Sequence, residues 1–414
     1  MAADETQKPT TLFFIDRVRH EHLDSRPWLV LNTAAAWHHG GGRALLLIDS
    51  QKKSHPEADP QAGNHEKIVE IAAEHGLQEH FMLPIGRKQA ELWKPGYWKA
   101  VRKLARTIER EEIDAVQVYR RSHHIASILA ERLVKRNIAI LRCCARSNRN
   151  LNHGLTQRLL FPWIHGVTGF SKTMVRTSQE MPGIDPAICH ELPPPLPRTF
   201  TEDPVGYEAG RERISELFGL EGLSSRQVVG LIGAVSPYKC SENAIMAAAR
   251  LRERFPRLLL LLVVGQHTPE NIKPVQKRIT KMGLQDTVKM IISNVGPDIP
   301  AILAGLDVGL YIARESSGPS RLVLEYLSQG TPVVATDVGV VPEYHQRDPH
   351  AFTLIPKNDV DALVAAIGDF LENPEQARKT GQRGAALIRK DFTLEAAAGR
   401  LDAIYASALE KRNS

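Results

Sequence analysis

Two short stretches hold residues whose types and spacing could do chemistry. Residues 315–343 read ESSGPSRLVLEYLSQGTPVVATDVGVVPE: a small-residue turn, a short apolar helix with one glutamate, Glu325, then a Gly-Thr-Pro turn and a strand ending near Asp337. Pro319 suits the first helical position and Ser317 or Gly318 the cap. Leu322, Val323, Tyr326 and Leu327 recur at helical spacing, and Gly330 marks the end. A helix that opens on small residues after a parallel strand is an anion site. Its first backbone N–H groups have no intrahelical acceptor, and the positive end of the helix dipole favours phosphate. Glu325 lies about six residues further in, roughly 8–9 Å up the axis at 1.5 Å per residue. That suits a carboxylate gripping a ribose whose diphosphate sits at the helix tip. The bland alternative is a solvated helix glutamate, the fate of most glutamates; flanking Leu324 and Tyr326 argue against it.

The second stretch, GLIGAVSPYKCSENAIMAAARLRERFP (230–256), runs from a buried strand ending at Gly233, through a loop carrying Lys239, into an apolar helix. A lysine there is a point charge placed for phosphate. Metal chemistry has no comparable signal: His38-His39 and His123-His124 are adjacent pairs, not the i, i+4 spacing of a helical zinc site. HHGGGR (38–43) precedes a strand, whereas a phosphate loop must follow one and open a helix.

The elements that must position these residues alternate along the chain. TLFFID (11–16), RALLLIDS (43–50), DAVQVY (114–119), IAILRCC (138–144) and HGVTGFS (165–171) have the character of buried strands. Between them lie helical stretches such as 26–39 and 97–112. After ELPPPLPRTF (191–200), a proline-stiffened linker, the alternation restarts with RQVVGLIGAV, RLLLLLVVG, TVKMIIS, VGLYIA, TPVVATD and FTLIP. This is an α/β chain of two parallel-sheet domains hinged near residue 195. Residues 392–412 form a last helix, capped by Thr393, with Leu394, Ala398, Leu401 and Tyr405 on one face.

The order of the Lys239 loop, PRLLLLLVVG, AGLDVGLYIARESSGPSRLVLEYLSQGTPVVATDVGVVPE and DVDALVAAIGDFLENPEQARKTGQRG resembles the C-terminal half of GT-B glycosyltransferases, closest to the retaining family four (glycosyl transferases group 1). The resemblance covers about residues 226–412. It implies two Rossmann-like domains facing an interdomain cleft: residues 1–195 on the acceptor side, 196–391 binding the nucleotide sugar, and a 392–414 helix crossing back to the first. It assigns Lys239 to the diphosphate and Glu325 to the ribose. The donor side then comprises Gly233, Lys239, Gly318, Ser320, Arg321, Leu322 and Glu325. Two positions depart from the family pattern. Its arginine falls on Ala234 or Val235, and its first glutamate on Ser317, with Glu315 two residues upstream; Glu315 or Ser317 would contact the sugar beside Lys239. The resemblance implies front-face displacement with retention, no side-chain nucleophile, no cofactor and no metal.

Acceptor residues are expected in first-domain loops: Arg17 and His20 after the first strand, His123 in the RRSHH loop and Arg146 in RSNRN. Their basic, hydrogen-bonding character suits an anionic acceptor, lipid-linked or another cell-envelope glycan. Residues 87–110 interleave Trp93, Tyr97 and Trp98 with Lys94, Lys99, Arg102, Lys103 and Arg106. They read either as a helix lying on an anionic bilayer or as an ordinary outer helix with its aromatics turned inward. Two other functions fit the same features. One is a GT-B-fold sugar-nucleotide epimerase; the other is a nucleotide-sugar-binding scaffold that has lost activity.

The bulk numbers agree with this class. At 414 residues the chain suits two domains. Its net charge of +6 fits an anionic ligand or membrane surface, and it has no basic-aromatic patch of a nucleic-acid reader. No apolar run approaches the ~20 residues of a membrane span. The N-terminus lacks the pattern of a signal peptide, and four cysteines without a CxxC pair suggest reduced thiols. A cytoplasmic location, peripheral on the membrane face, is expected.

Overall fold

The computed structural model describes residues 8–15, 25–49, 65–85, 95–144, 160–202, 204–233, 235, 239–265, 269–293 and 295–413. Arg17, His20 and Arg146 of the expected acceptor set lie outside the described residues, as do Trp93, Lys94 and Ala234. Two units share the chain: Met1–Pro197 with Phe392–Ser414, and Arg198–Asp391.

Among the described residues of the first unit, seven strands form one sheet: β1 (Thr11–Ile15), β2 (Ala44–Asp49), β3 (His80–Leu83), β4 (Ala115–Val118), β5 (Ala139–Cys144), β6 (Gly166–Gly169) and β7 (Cys189–Glu191). The order is β3-β2-β1-β4-β5-β6-β7 and every pairing is parallel. Strands β1, β2 and β4 are buried throughout, as in a sheet covered on both faces, which is why they show as largely apolar runs; the buried Gln117 of β4 is the polar interruption. Strands β3 and β7 escape that signal. They are short edge strands with partly exposed side chains: HFML has only three apolar residues in a row and CHE none, too little to mark a buried strand.

Residues 120–124, expected as a loop, instead open the helix Arg121–Glu131 with Arg120 as its cap. Only Tyr119 and Arg120 separate the end of β4 from this helix, a length common for a βα turn. His123 and His124 therefore turn inward and are 1% and 3% exposed.

The proline-rich segment is extended and buried from Leu192 to Pro197. The Leu196 N–H donates to the Phe392 carbonyl at 2.8 Å, where the chain re-enters this unit. The last helix, Leu394–Asn413, is capped by the Thr393 hydroxyl, which accepts from the Ala396 N–H at 3.1 Å. Leu394, Ala398, Leu401 and Tyr405 are all buried. The Tyr405 ring meets Trp37 edge-on at 4.5 Å, and its hydroxyl donates to Gln117 Oε1 at 2.7 Å. All four cysteines are free thiols.

Among its described residues the second unit has six strands, all recognisable from their apolar runs: β8 (Gln227–Gly233), β9 (Leu258–Val264), β10 (Val288–Ile292), β11 (Val308–Tyr311), β12 (Val333–Thr336) and β13 (Thr353–Ile355). Their order is β10-β9-β8-β11-β12-β13, again parallel. The order reverses between β8 and β11. In doubly wound sheets, ligands bind outside the carboxyl ends of the strands at that reversal.

Candidate functional site

Val308 lies beside Val229 and Gly309 beside Gly230, so the segments leaving β8 and β11 emerge side by side. Gly233 ends β8 at φ +126°, a conformation L side chains rarely adopt, and open space lies where its Cβ would stand. Such a position lets a ligand approach the backbone closely. Lys239, further along the same segment, places its Nζ 4.7 Å from the centroid of the Tyr311 ring at the end of β11. The aromatic face holds the ammonium by a cation–π contact. The Tyr311 hydroxyl lies 3.0 Å from Ser320 Oγ and 3.3 Å from Ser316 Oγ, and the two serine hydroxyls are 3.0 Å apart. One polar cluster thus joins the platform beneath Lys239 to the turn that opens the next helix.

That helix begins later than its sequence suggests. Its first residue is Arg321 and its cap is Ser320, at φ 48° and ψ 45°; neither Ser317 nor Gly318 caps it, and Pro319 stands outside it. The preceding turn is already committed. The Tyr344 hydroxyl donates to the Pro319 carbonyl at 2.5 Å, and the Ser320 hydroxyl is held by Tyr311 and Ser316. Gly339 packs beneath Ser316 so closely that a Cβ there would come within 2.5 Å of the Ser316 carbonyl oxygen. Pro319 consequently removes no donor from the helix tip. Glu325 is four residues beyond the first helical residue, about 6 Å at 1.5 Å per residue, closer to the tip than the sequence suggests.

Glu325 is 2% exposed, and its Oε1 lies 2.7 Å from Arg321 Nε one turn earlier. Burial pushes its carboxyl above the usual range while the Arg321 guanidinium pulls it back, and burial dominates. The next residue fixes the helix to the sheet. The Tyr326 hydroxyl donates to the Gly230 carbonyl at 3.1 Å and accepts from the Ile232 N–H at 3.3 Å. Its ring passes over Gly309, where a Cβ would come within 2.5 Å of it.

The structure therefore brings Gly233, Lys239 and Ser320 to the carboxyl edge of the second sheet, with Arg321 and Glu325 on the helix that starts there. Leu322, Ser317 and Gly318 are half-buried, and Glu315 is exposed in the segment after β11. Of the expected acceptor residues, His123 is the described one. It packs inside the first unit with its ring 5.2 Å from Phe14, not on a surface loop. Among the described residues, no group of three or more His, Cys, Asp or Glu could hold a metal ion. Sequence reasoning missed Tyr311, Ser316, Tyr326 and Tyr344. Their signal was present: a tyrosine in an otherwise apolar element must find a partner for its hydroxyl when buried.

Residues 219–386 match the family model described as Glycosyl transferases group 1. Two curated relatives are each 28% identical to this chain. One is the MMP alpha-(1->4)-mannosyltransferase of Mycolicibacterium hassiacum, matched over 46% of this chain and 45% of the relative. The other is the GDP-mannose-dependent alpha-(1-6)-phosphatidylinositol monomannoside mannosyltransferase of Mycolicibacterium smegmatis, over 55% and 59%. The chain thus spans about half the length of the curated relatives it matches. Among solved structures, HepE of Anabaena in complex with UDP superposes with a TM-score of 0.74 at 16% identity, covering 96% of this chain and 100% of that one. A glycosyltransferase from Rickettsia africae gives 0.74 at 15% identity, over 97% and 99%.

Proposed function

We propose that this chain, whose residues 219–386 match the glycosyl transferases group 1 model and whose fold is GT-B, moves a sugar from a nucleotide-sugar donor to an acceptor, with retention and without a metal. The observation that carries this reading is the buried Glu325, paired with half-buried Arg321 in the first turn of a helix whose cap, Ser320, bonds the Tyr311 platform under Lys239. In this reading Lys239 and the helix tip take the diphosphate, and Glu325 accepts hydrogen bonds from the ribose hydroxyls. Ser317 or Glu315 contacts the sugar. The bond from the sugar's anomeric carbon to the diphosphate breaks as the bond to the acceptor oxygen forms on the same face. The acceptor's proton passes to the departing diphosphate oxygen, so stabilising that oxygen is the main catalytic work.

Calorimetric titration with GDP-mannose and UDP-glucose, followed by analysis of the product's anomeric configuration, tests the reading. Glu325→Ala should weaken donor binding by roughly 10- to 150-fold, the loss of about 1.5–3 kcal/mol for a charge-assisted hydrogen bond. Unchanged binding in that variant, or no binding of either donor to the intact protein, would sink the assignment.

The acceptor proposed is a glycan or lipid-linked molecule reached at a membrane surface. Among the described residues no helix is long and apolar enough to cross a membrane. The helix Pro95–Arg110 buries Tyr97, Ala100, Val101, Leu104, Ala105 and Ile108 and exposes Lys99, Arg102, Lys103 and Arg106 beside Trp98. A cationic face with one exposed indole suits the headgroup region of an anionic bilayer. Co-sedimentation with phosphatidylglycerol vesicles should be lost on combined Lys99→Glu, Arg102→Glu and Lys103→Glu substitution; retention of binding would remove the helix from the membrane contact.

A further inference from the structure

Tyr311 is the last residue of β11, an interior strand of the second sheet, and is 4% exposed. It lies in register with Ala335 of β12. Two residues on, the Thr336 hydroxyl accepts from the Ala313 N–H at 2.9 Å and donates to the Ala313 carbonyl at 3.0 Å. The phenol ring is therefore fixed to the rigid centre of the sheet. The backbone beside Lys239 is anchored too: Cys240 is buried, and its carbonyl accepts from the Asn243 N–H at 2.9 Å. What remains free at half-buried Lys239 is its flexible four-carbon stem, and the ammonium at its end lies 4.7 Å from the centroid of the Tyr311 ring.

An aromatic face confines an ammonium without neutralising it, which a carboxylate would do. The ammonium has three N–H donors, so one side can rest on the ring while the others meet the oxygens of a diphosphate. The hydroxyl of the same residue acts on the other half of the site. It is 3.0 Å from Ser320 Oγ and 3.3 Å from Ser316 Oγ, and with those two 3.0 Å apart the three hydroxyls close a ring. That ring holds Ser320 at φ 48°, a left-handed conformation that is unfavourable for any residue but glycine. On the footing that Lys239 takes the donor diphosphate, we propose that Tyr311 is the positioning residue of the donor site. Its ring seats the Lys239 ammonium, and its hydroxyl separately fixes the entry to the Arg321–Ser328 helix.

Titration of the full chain with GDP and with UDP, placing Lys239→Ala in the wild-type, Tyr311→Leu and Tyr311→Phe backgrounds, reads the two roles apart. In Tyr311→Leu, Lys239→Ala should cost roughly 2- to 12-fold less affinity than in the wild type, the factor for ordering one flexible side chain on binding. Tyr311→Met, another variant without the ring, should show the same pattern. In Tyr311→Phe, which keeps the ring, Lys239→Ala should cost as much as in the wild type, and loss of the hydroxyl should weaken binding by one factor whether or not Lys239 is present. A merely structural role would lower affinity in Tyr311→Leu and leave the cost of Lys239→Ala unchanged. The contact itself is read without nucleotide. In protein carrying 13C-labelled lysine, the Lys239 ε-methylene protons, identified by their absence in Lys239→Ala, should be ring-shielded in the wild type and Tyr311→Phe and move downfield in Tyr311→Leu. An equal cost of Lys239→Ala in every background, Tyr311→Phe behaving like Tyr311→Leu, or a Lys239 resonance that does not move overturns the proposal and leaves the assignment of Lys239 to the diphosphate standing. Lys239→Ala binding both nucleotides as tightly as the wild type, or neither nucleotide binding, overturns both.

Discussion

At the residue scale, Arg321 is what makes a buried Glu325 tolerable. A carboxylate 2% exposed must be paired or take up a proton, and the guanidinium 2.7 Å away supplies the pair. Removing that partner in Arg321→Met should cost up to about 3 kcal/mol. The cost depends on pH with a definite sign. Glu325 already holds its proton more tightly in the folded state than in the unfolded chain, and Arg321 opposes that shift. A group raised in this way favours folding at low pH, and that contribution is lost as pH rises through its folded pKa. Without Arg321 the folded pKa climbs further, so the variant's deficit should be larger at pH 8 than at pH 5. Urea midpoints at the two pH values decide it; equal deficits would mean that Glu325 is not charged in the native protein.

At the element scale, the position of the Arg321–Ser328 helix depends on tyrosines more than on its own cap. The Ser320 side chain makes no capping bond to the helix, whereas Tyr326 ties it to β8 through Gly230 and Ile232. Tyr326→Phe should therefore destabilise the second unit by about 1–3 kcal/mol by leaving two buried backbone groups without their partner. Donor binding should weaken with it, because Gly233 and the helix tip would no longer share one frame. Chemical denaturation measures the first effect and titration with GDP-mannose the second. This is also where sequence reasoning fell short. Pro319 and Gly318 carry the usual signature of a helix start, but the turn is decided by Tyr344, Gly339 and Tyr311, which come from other segments of the chain. Likewise, a basic RRSHH stretch suggests a solvated loop, but its place two residues after β4 makes it the buried first turn of a helix.

At the scale of the whole molecule, the two ends of the chain build one unit. Residues 392–414 group with residues 1–197, and Tyr405 fills space beside Trp37 and Gln117. The second unit is one uninterrupted stretch, 198–391. Truncation after Asp391 should abolish the cooperative unfolding transition of the first unit and leave that of the second; differential scanning calorimetry with limited proteolysis reads both. What the sequence by itself determined was the α/β class, most of the strands, and a helix opening after β11. Those follow from local patterns: unbroken apolar runs mark strands covered on both faces, and small residues after a strand mark a helix entry. Only the tertiary structure decided that β11 lies beside β8, that Tyr311 lies under Lys239, and that His123 and His124 are buried in the first turn of a helix. Each of these depends on groups distant in the chain meeting at the end of a sheet. No periodicity records such meetings, because they are fixed by strand order and by the hydrogen bonds that buried polar groups must find.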